Sequence, residues 1–501
     1  MINGFINWFK LKFRKLDSQK EVLPEENVLG LDLSTYGVCL AVYKGTGQLT
    51  LDTGNVVKCA FEAGQLVSGD VILLCASESL TFPFPDLKVS SFCGTTREGI
   101  TLSSNNKITE FNYLPNRPDG QGGCWAAFRL SELEVSLMKD RIIQSAHFGI
   151  TNFKFSPTLV SKKSNGSTSS LPLTLKDKTQ THSLEIKHIE NYEKILNRVR
   201  TLKSIDVTCE AVTTISSIAE GKMLEDIISN LCQVLSVARG TKIQWVYCDY
   251  YDKDEKLVSR IHRTHVTKPF CPMCIIDSGV EGRKETQSFI EGAYINYVSR
   301  RIDYQLDKGT IDTYLDAKSE GDYLEMRGAK LAVALEKLKA VFLKLPSTTT
   351  NEFVIDDTIF EGLSSELKDA ASAFLTAKKV KPEARSGIYE NLTGLNRKSF
   401  KKLLGDFFTD IGISLSPADI KLFIQCRNKL VHAGDFYCNA ATPDERRKCP
   451  PLSSPAEEYY FMVNFLDKIF LRLLGYSGEY CDYNTLVVSG TVKKSTIAAD
   501  L

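Results

Sequence analysis

The apolar pattern changes its period along the chain, and that change limits the fold more than any other feature. From about Asp322 to Leu474 apolar residues recur at three- and four-residue spacing, as in YLEMRGAKLAVALEKLKAVFLKL and RKSFKKLLGDFFTDI. A repeat near 3.6 predicts helices that bury a common stripe. From residue 27 to 160 the runs are short and rich in β-branched and aromatic residues (VCLAVY, LTLDT, VVKCAF, VILLCAS, ITLSS, ITEFNY, AAFRL), with Gly, Asn, Asp and Pro between them. Many short strands at that spacing predict an antiparallel sandwich or barrel. SKKSNGSTSS at 161–170 is polar and reads as an exposed loop or linker.

Residues 180–305 combine both patterns. SLEIKHI, IDVTCEAVTTI and KIQWVYCDYYD read as strands. A helix is expected from Ser217 to Ala238, stopped by Gly240, and another from Glu285 to Gln305. In the last third, Ser416-Pro417-Ala418-Asp419 and Ser454-Pro455-Ala456-Glu457 each place Ser at a helix N-cap, Pro in the first helical position and an acid in the third. Gly434 and Gly475 sit where C-terminal caps belong.

The expected class is α+β and multidomain, which suits 501 residues. The expected parts are an amphipathic segment (1–26), a β-rich sandwich-like domain (27–175), an α+β middle domain (176–320), an all-α bundle (321–480) and a tail (481–501). In the first segment Phe5, Ile6, Trp8 and Phe9 are apolar and Lys10, Lys12, Arg14 and Lys15 basic. That suits a helix packed on its own protein or a surface anchor. The order of its residues is not that of a secretory leader.

With 62 basic and 61 acidic side chains the net charge is +1, so any nucleic-acid contact must come from a local patch. Fourteen scattered cysteines are too dilute for a disulfide scaffold and favour a reducing cytoplasm. No run is long enough to make a transmembrane segment.

The candidate chemistry lies in SPADIKLFIQCRNKLVHAG, where Ile420, Phe423, Ile424, Leu430 and Val431 form the expected apolar stripe and Arg427 falls beside it. A guanidinium there needs a partner or a ligand. His432 ends the helix and offers an imidazole, the side chain type that exchanges protons near neutrality, and Asn428 adds an amide. Such a set suits metal-independent cleavage of RNA. The imidazole takes a proton from the 2′-hydroxyl, and the planar fork of Arg grips two phosphate oxygens. Five residues at 100° place Arg427 and His432 about 140° apart on an ideal helix. Either the helix end bends or two copies combine their residues across a symmetric dimer. The spacing recurs at Arg141–His147 and Arg260–His265, but only RNKLVH lies late in a helix of the all-helical part.

RNKLVH in this setting resembles the R-x4-6-H motif of HEPN ribonucleases. DYLEMRGAKLAVALEKL resembles an early helix of the HEPN domain in ApeA-like bacterial defence proteins, and NLCQVLSVARGTKIQWVYCDYYD resembles the segment preceding it there. The resemblance implies a HEPN-like helical domain that forms a homodimer or higher even oligomer with a composite ribonuclease site. That site needs no cofactor and serves as a toxin against phage, under a phage-derived trigger. By position, Arg427 is then the phosphate-binding residue, His432 the catalytic imidazole and Asn428 the supporting polar group. A non-catalytic HEPN scaffold, used only for dimerisation or recognition, is the alternative.

Lys378, Lys379, Lys381, Arg385, Arg397, Lys398, Lys401 and Lys402 make a locally basic stretch. Lys398, Lys401 and Lys402 are the candidates for holding an RNA backbone, against a solvated helix face. In HRTHVTKPFCPMC, His262, His265, Cys271 and Cys274 have the residue types of a structural zinc site, while loop residues flanking Pro269 and Pro272 are the simpler account. VLGLDLSTYGVCLAVYKGTGQLT resembles the first phosphate motif of actin-like sugar kinases, with Asp32 near magnesium. The later phosphate and adenosine loops of that fold are missing, so a β-hairpin is simpler. Glu336 could orient the active-site Arg or be an ordinary ion-paired carboxylate.

Overall fold

The computed structural model describes residues 32–66, 68–77, 88–105, 108–114, 124–138, 141–163, 166–266, 271–346, 352–484 and 486–497. The amphipathic segment expected over 1–26 lies outside them. The strands are β1 (Cys39–Leu51), β2 (Val56–Leu66), β3 (Val71–Ser77), β4 (Val89–Thr96), β5 (Thr101–Asn105), β6 (Ile108–Leu114), β7 (Cys124–Leu130), β8 (Glu132–Ser136), β9 (Ile143–Thr151), β10 (Leu159–Lys163), β11 (Gly166–Lys176), β12 (Thr181–His188), β13 (Val207–Thr214), β14 (Trp245–Asp252) and β15 (Leu257–Arg263). They hydrogen-bond into one sheet of 15 strands, in the order β10-β11-β12-β13-β9-β14-β15-β8-β5-β4-β1-β2-β3-β7-β6. The pairings are antiparallel, as alternating short strands predict.

The continuous order brings the strands of the middle region beside those of the N-terminal region. β9 lies between β13 and β14, so the sheet runs on past residue 175. The sheet also curls. Gln65 of β2 donates its amide to the carbonyls of Val246 (2.9 Å) and Arg263 (3.1 Å). Tyr43 of β1 meets His262 of β15 at 3.0 Å. Inside the curl, Tyr43, Leu49, Phe61, Phe92, Leu102, Phe128 and Val135 form one apolar cluster.

Two local expectations change. VCLAVY and LTLDT belong to a single strand of 13 residues, β1, and the intervening glycines are strand residues. A Cβ on Gly47 would lie 2.6 Å from the carbonyl of Cys93, so glycine is what allows β4 this close. The described residues of the polar stretch, 161–163 and 166–170, are strand and not linker. Their backbone completes the β10–β11 ladder, Leu159 opposite Ser170 and Ser161 opposite Thr168, at the sheet's edge. An edge strand tolerates polar residues because one side stays in water.

The helices are α1 (Tyr192–Leu202), α2 (Ile218–Arg239), α3 (Arg283–Arg300), α4 (Ile311–Ala317), α5 (Leu324–Phe342), α6 (Asp357–Ala377), α7 (Pro382–Thr393), α8 (Phe400–Asp410), α9 (Pro417–Ala433), α10 (Tyr437–Ala440), α11 (Pro443–Lys448), α12 (Pro455–Leu473) and α13 (Leu486–Ser489). From α5 to α12 the described residues are mostly helical, with short connections except between α5 and α6. Ser416 caps α9 by accepting from the Asp419 N–H at 3.0 Å, and Gly434 ends it at φ 69°. Ser454 caps α12 by accepting from the Glu457 N–H at 3.3 Å. Ser217 and Gly240 bound α2 as expected.

A second apolar cluster runs from Ile143 in the sheet through α2, α3 and the helical region to Ile497. Where α4 meets α12, Lys318 pairs with Asp467 at 2.8 Å, both fully buried, and the Tyr314 hydroxyl donates to the same carboxylate. The strands β16 (Glu479–Asp482) and β17 (Lys493–Thr496) pair antiparallel, β16 crossing the expected boundary between bundle and tail at 480. The pair docks by a bond from the Cys481 N–H to the Ile275 carbonyl at 2.8 Å. Among the described residues no helix is long and apolar enough to cross a membrane.

Candidate active site

Helix α9 packs antiparallel to α5. Leu430 lies against Gly328, where a Cβ would come within 2.8 Å of the leucine, and three residues earlier Arg427 reaches Glu336, further along α5. Phe423, Cys426 and Leu430 are the buried side chains of α9. Ile420 and Ile424 are half-buried, whereas Val431 is exposed, so the stripe is narrower than expected and includes Cys426. Arg427 falls at its rim, partly buried.

The Arg427 guanidinium is fixed on three sides. Nη2 donates to Glu336 Oε1 at 2.5 Å, and Nη1 to Asn428 Oδ1 at 2.8 Å. Its carbon lies 5.2 Å from the ring centre of Phe400, at the start of α8. Nε is buried without a hydrogen-bond partner. Glu336 is also paired with Lys339 at 2.9 Å, and the Lys339 ammonium sits 4.9 Å from the same Phe400 ring. Two cations, one carboxylate and an aromatic face thus form a compact cluster at the surface.

His432 is exposed. Helix α9 remains regular through Ala433, so the bend that would bring His432 around to Arg427 is not there. The two side chains leave the helix in different directions, as ideal geometry requires. The structure therefore brings Arg427 and Asn428 together and leaves His432 apart within one chain.

Of the candidate RNA-binding residues, Lys401 and Lys402 are exposed on the first turn of α8, directly after Phe400, and Lys402 pairs with Asp406 at 3.2 Å. Lys398 is half-buried, and its N–H donates to the Glu352 carbonyl at 2.8 Å. Lys378, Lys379 and Lys381 precede α7 and Arg397 follows it, so the 12 residues of α7 divide the basic stretch in two. That helix is about 18 Å long. Only the second half adjoins the Arg427 cluster.

The four residues with zinc-ligand chemistry occupy separate settings. His262 is buried with both ring nitrogens engaged. Nδ1 donates to Gln65 Oε1 at 2.9 Å and Nε2 accepts from the Tyr43 hydroxyl at 3.0 Å. Burial and the nearby Arg260 push its pKa well down, so the ring is neutral. His265 is also buried, its pKa pushed down to about 4 by burial. Cys271 Sγ donates to the Lys318 carbonyl at 3.7 Å, and Cys274 lies 3.9 Å from Cys481. Among the described residues no group of three or more His, Cys, Asp or Glu is gathered to hold a metal.

The other two Arg–His spacings fall in or beside strands. Arg260 is committed to Asp249 through two 2.5 Å bonds, and Arg141 lies 3.5 Å from Asp252. Asp32 caps the short 3-10 turn Leu33–Tyr36 by accepting from the Ser34 N–H at 2.9 Å, and β1 beyond it pairs antiparallel with β2. Sequence reasoning singled out Glu336 but missed Phe400 and Lys339. The first is the lone aromatic in RKSFKKLL, and the second lies three residues after Glu336.

Comparison of the chain with protein-family models, with curated proteins and with solved structures finds no match.

Proposed function

We propose that the protein is a metal-independent endoribonuclease of HEPN type whose site is composite, Arg427 and Asn428 coming from one copy and His432 from another. The observation that carries this reading is the exposed, unbent end of α9, with a fixed guanidinium and an imidazole on different sides of one helix. A two-fold axis beside α9 would turn the imidazole of one copy toward the guanidinium of the other. Exposed Val333, three residues before Glu336, and exposed Val431, one turn after Arg427, give that face apolar area for such pairing.

In the proposed reaction His432 accepts the proton of an RNA 2′-hydroxyl, whose oxygen attacks the adjacent phosphorus. The bond to the 5′-oxygen breaks and that oxygen takes up a proton. The products are a 2′,3′-cyclic phosphate and a 5′-hydroxyl. Arg427 neutralises the pentacovalent phosphate, and Asn428 orients its fork. Lys401 and Lys402 hold the strand beside it. The role of a triggered toxin in phage defence, with the N-terminal sheet as sensor, rests on the resemblance alone, as does a cytoplasmic setting.

One observation favours the second reading, a non-catalytic HEPN scaffold: Glu336 and Asn428 already occupy the fork of Arg427. The two readings separate in one assay. The ribonuclease cuts RNA in EDTA and leaves cyclic phosphate ends, and Arg427→Ala or His432→Ala abolishes cutting with the helical signal intact. Intact RNA with the wild-type chain, at every concentration at which it self-associates, supports the scaffold.

A further inference from the structure

Helix α6 is 21 residues long, yet only Ser364 and Leu375 are buried along it. It leans on α7 and turns an apolar stripe to solvent. Ile359 is 66 % exposed, Leu363 43 % and Phe374 62 %, with Ala370 exposed between them. At 100° per residue these four side chains fall within about 60° of arc along a helix about 30 Å long. Scattered exposed apolar residues are ordinary, but an apolar stripe along one helix, interrupted at its middle by exposed Glu366, marks a surface that packs against something.

Charge identifies the occupant. The N-terminal half of α6 is acidic, with Asp356 at its cap and Asp357, Glu361 and Glu366 following, while Lys368 and Asp369 beyond it cancel. The turn after its C-terminus is basic, with Lys378, Lys379 and Lys381. A helix acidic at one end and basic at the other is complementary to itself in the antiparallel sense. The apolar side chains agree on the register. Setting Ile359 against Phe374 of a second copy also sets Leu363 against its Ala370, and places Asp356 within one residue of its Lys378.

We infer that the stripe of α6 is an isologous interface at which two copies of this chain pair antiparallel, their axis passing beside Glu366 and Leu367. Each contact then occurs twice, as closed two-fold symmetry requires. Lys378 lies 5.9 Å from the Phe374 ring, so the ion pair at each end covers the terminal aromatic contact. The inference goes beyond the ribonuclease reading and stands without it, because α6 carries none of the residues assigned to cleavage.

Light scattering coupled to size exclusion tests it on the full chain. Leu363→Glu and Phe374→Glu alter exposed positions, so circular dichroism should be unchanged. Each should halve the wild-type mass and raise the dissociation constant at least about tenfold. Asp356→Lys and Lys378→Glu should each weaken association alone, and mixing those two variants should restore it, because opposite charges meet again at both ends. Asp356→Lys also removes the helix cap, but the mixture keeps that loss, so recovery reports pairing alone. A wild-type mass equal to that of Leu363→Glu up to the solubility limit, or no recovery on mixing, overturns the inference. RNA cleavage is not read in this experiment, so its outcome is separate from that of the ribonuclease assay.

Discussion

Arg427 Nη2 and Glu336 Oε1 are 2.5 Å apart across the α9–α5 contact, each side chain about a quarter exposed at 21 % and 30 %. The carboxylate holds the guanidinium in place and also occupies the donors that a phosphate would use. In the proposed reaction a phosphate would share or displace Glu336.

Glu336→Gln keeps the shape of the side chain and removes the competing charge. In a His432→Ala background, which the proposed mechanism makes inactive, RNA affinity should rise about fivefold, the scale of one partly exposed charge pair. Fluorescence anisotropy with a short labelled RNA measures this. Affinity unchanged or lowered would show that Glu336 does not compete with phosphate.

The buried pair of Lys318 and Asp467 makes a sharper stability prediction. Lys318→Met leaves a carboxylate fully buried with only the Tyr314 hydroxyl as a donor, and should cost about 3–5 kcal/mol in urea unfolding. Combining it with Asp467→Leu removes the stranded charge and should recover part of that loss. A double variant as unstable as the single one would place the cost in packing instead.

Glu458 lies in the first turn of α12, fully buried, and Oε2 accepts from the Tyr437 N–H at 2.8 Å while Oε1 has no partner. Burial raises its pKa to about 7 from the ordinary 4.5. Between those values the folded chain binds more protons than the unfolded one, so stability must fall as pH rises. The loss should be on the order of 3 kcal/mol, complete above pH 7. Glu458→Gln should flatten that slope in melts taken at pH 5, 6 and 7. An unchanged slope would assign the effect to another group.

His262 joins β15 to β1 and β2 through Tyr43 and Gln65. His262→Ala should destabilise the chain by about 2–3 kcal/mol, as lost buried hydrogen bonds and a cavity require. Chelators should leave the melting temperature unchanged. A melt lowered by EDTA and restored by zinc would reinstate the zinc reading.

The helical third was legible because its signals are local. Ser416, Pro417 and Gly434 bound α9 through bonds made within a few residues. The sheet was legible strand by strand but not as a whole. Pairings such as Val212 with His147 join residues far apart in sequence, and no local pattern encodes them. Polarity misled at 161–170, where backbone pairing at an edge holds residues that a buried strand would not tolerate. At the candidate site, Arg427, Asn428 and Glu336 were readable from residue type and position. Phe400 and Lys339 were not, because their proximity to Arg427 depends on how α8 and α5 pack.

Mixing the two variants that the proposed mechanism makes inactive tests the composite site most directly. Arg427→Ala supplies an intact His432 and His432→Ala an intact Arg427, so each mixed dimer regains one complete site. Random exchange makes half of the dimers mixed, so cleavage in EDTA should return to about a quarter of the wild-type rate. Cleavage by either variant alone, or a mixture as silent as its parts while wild-type chains cut RNA, would contradict a site shared between copies.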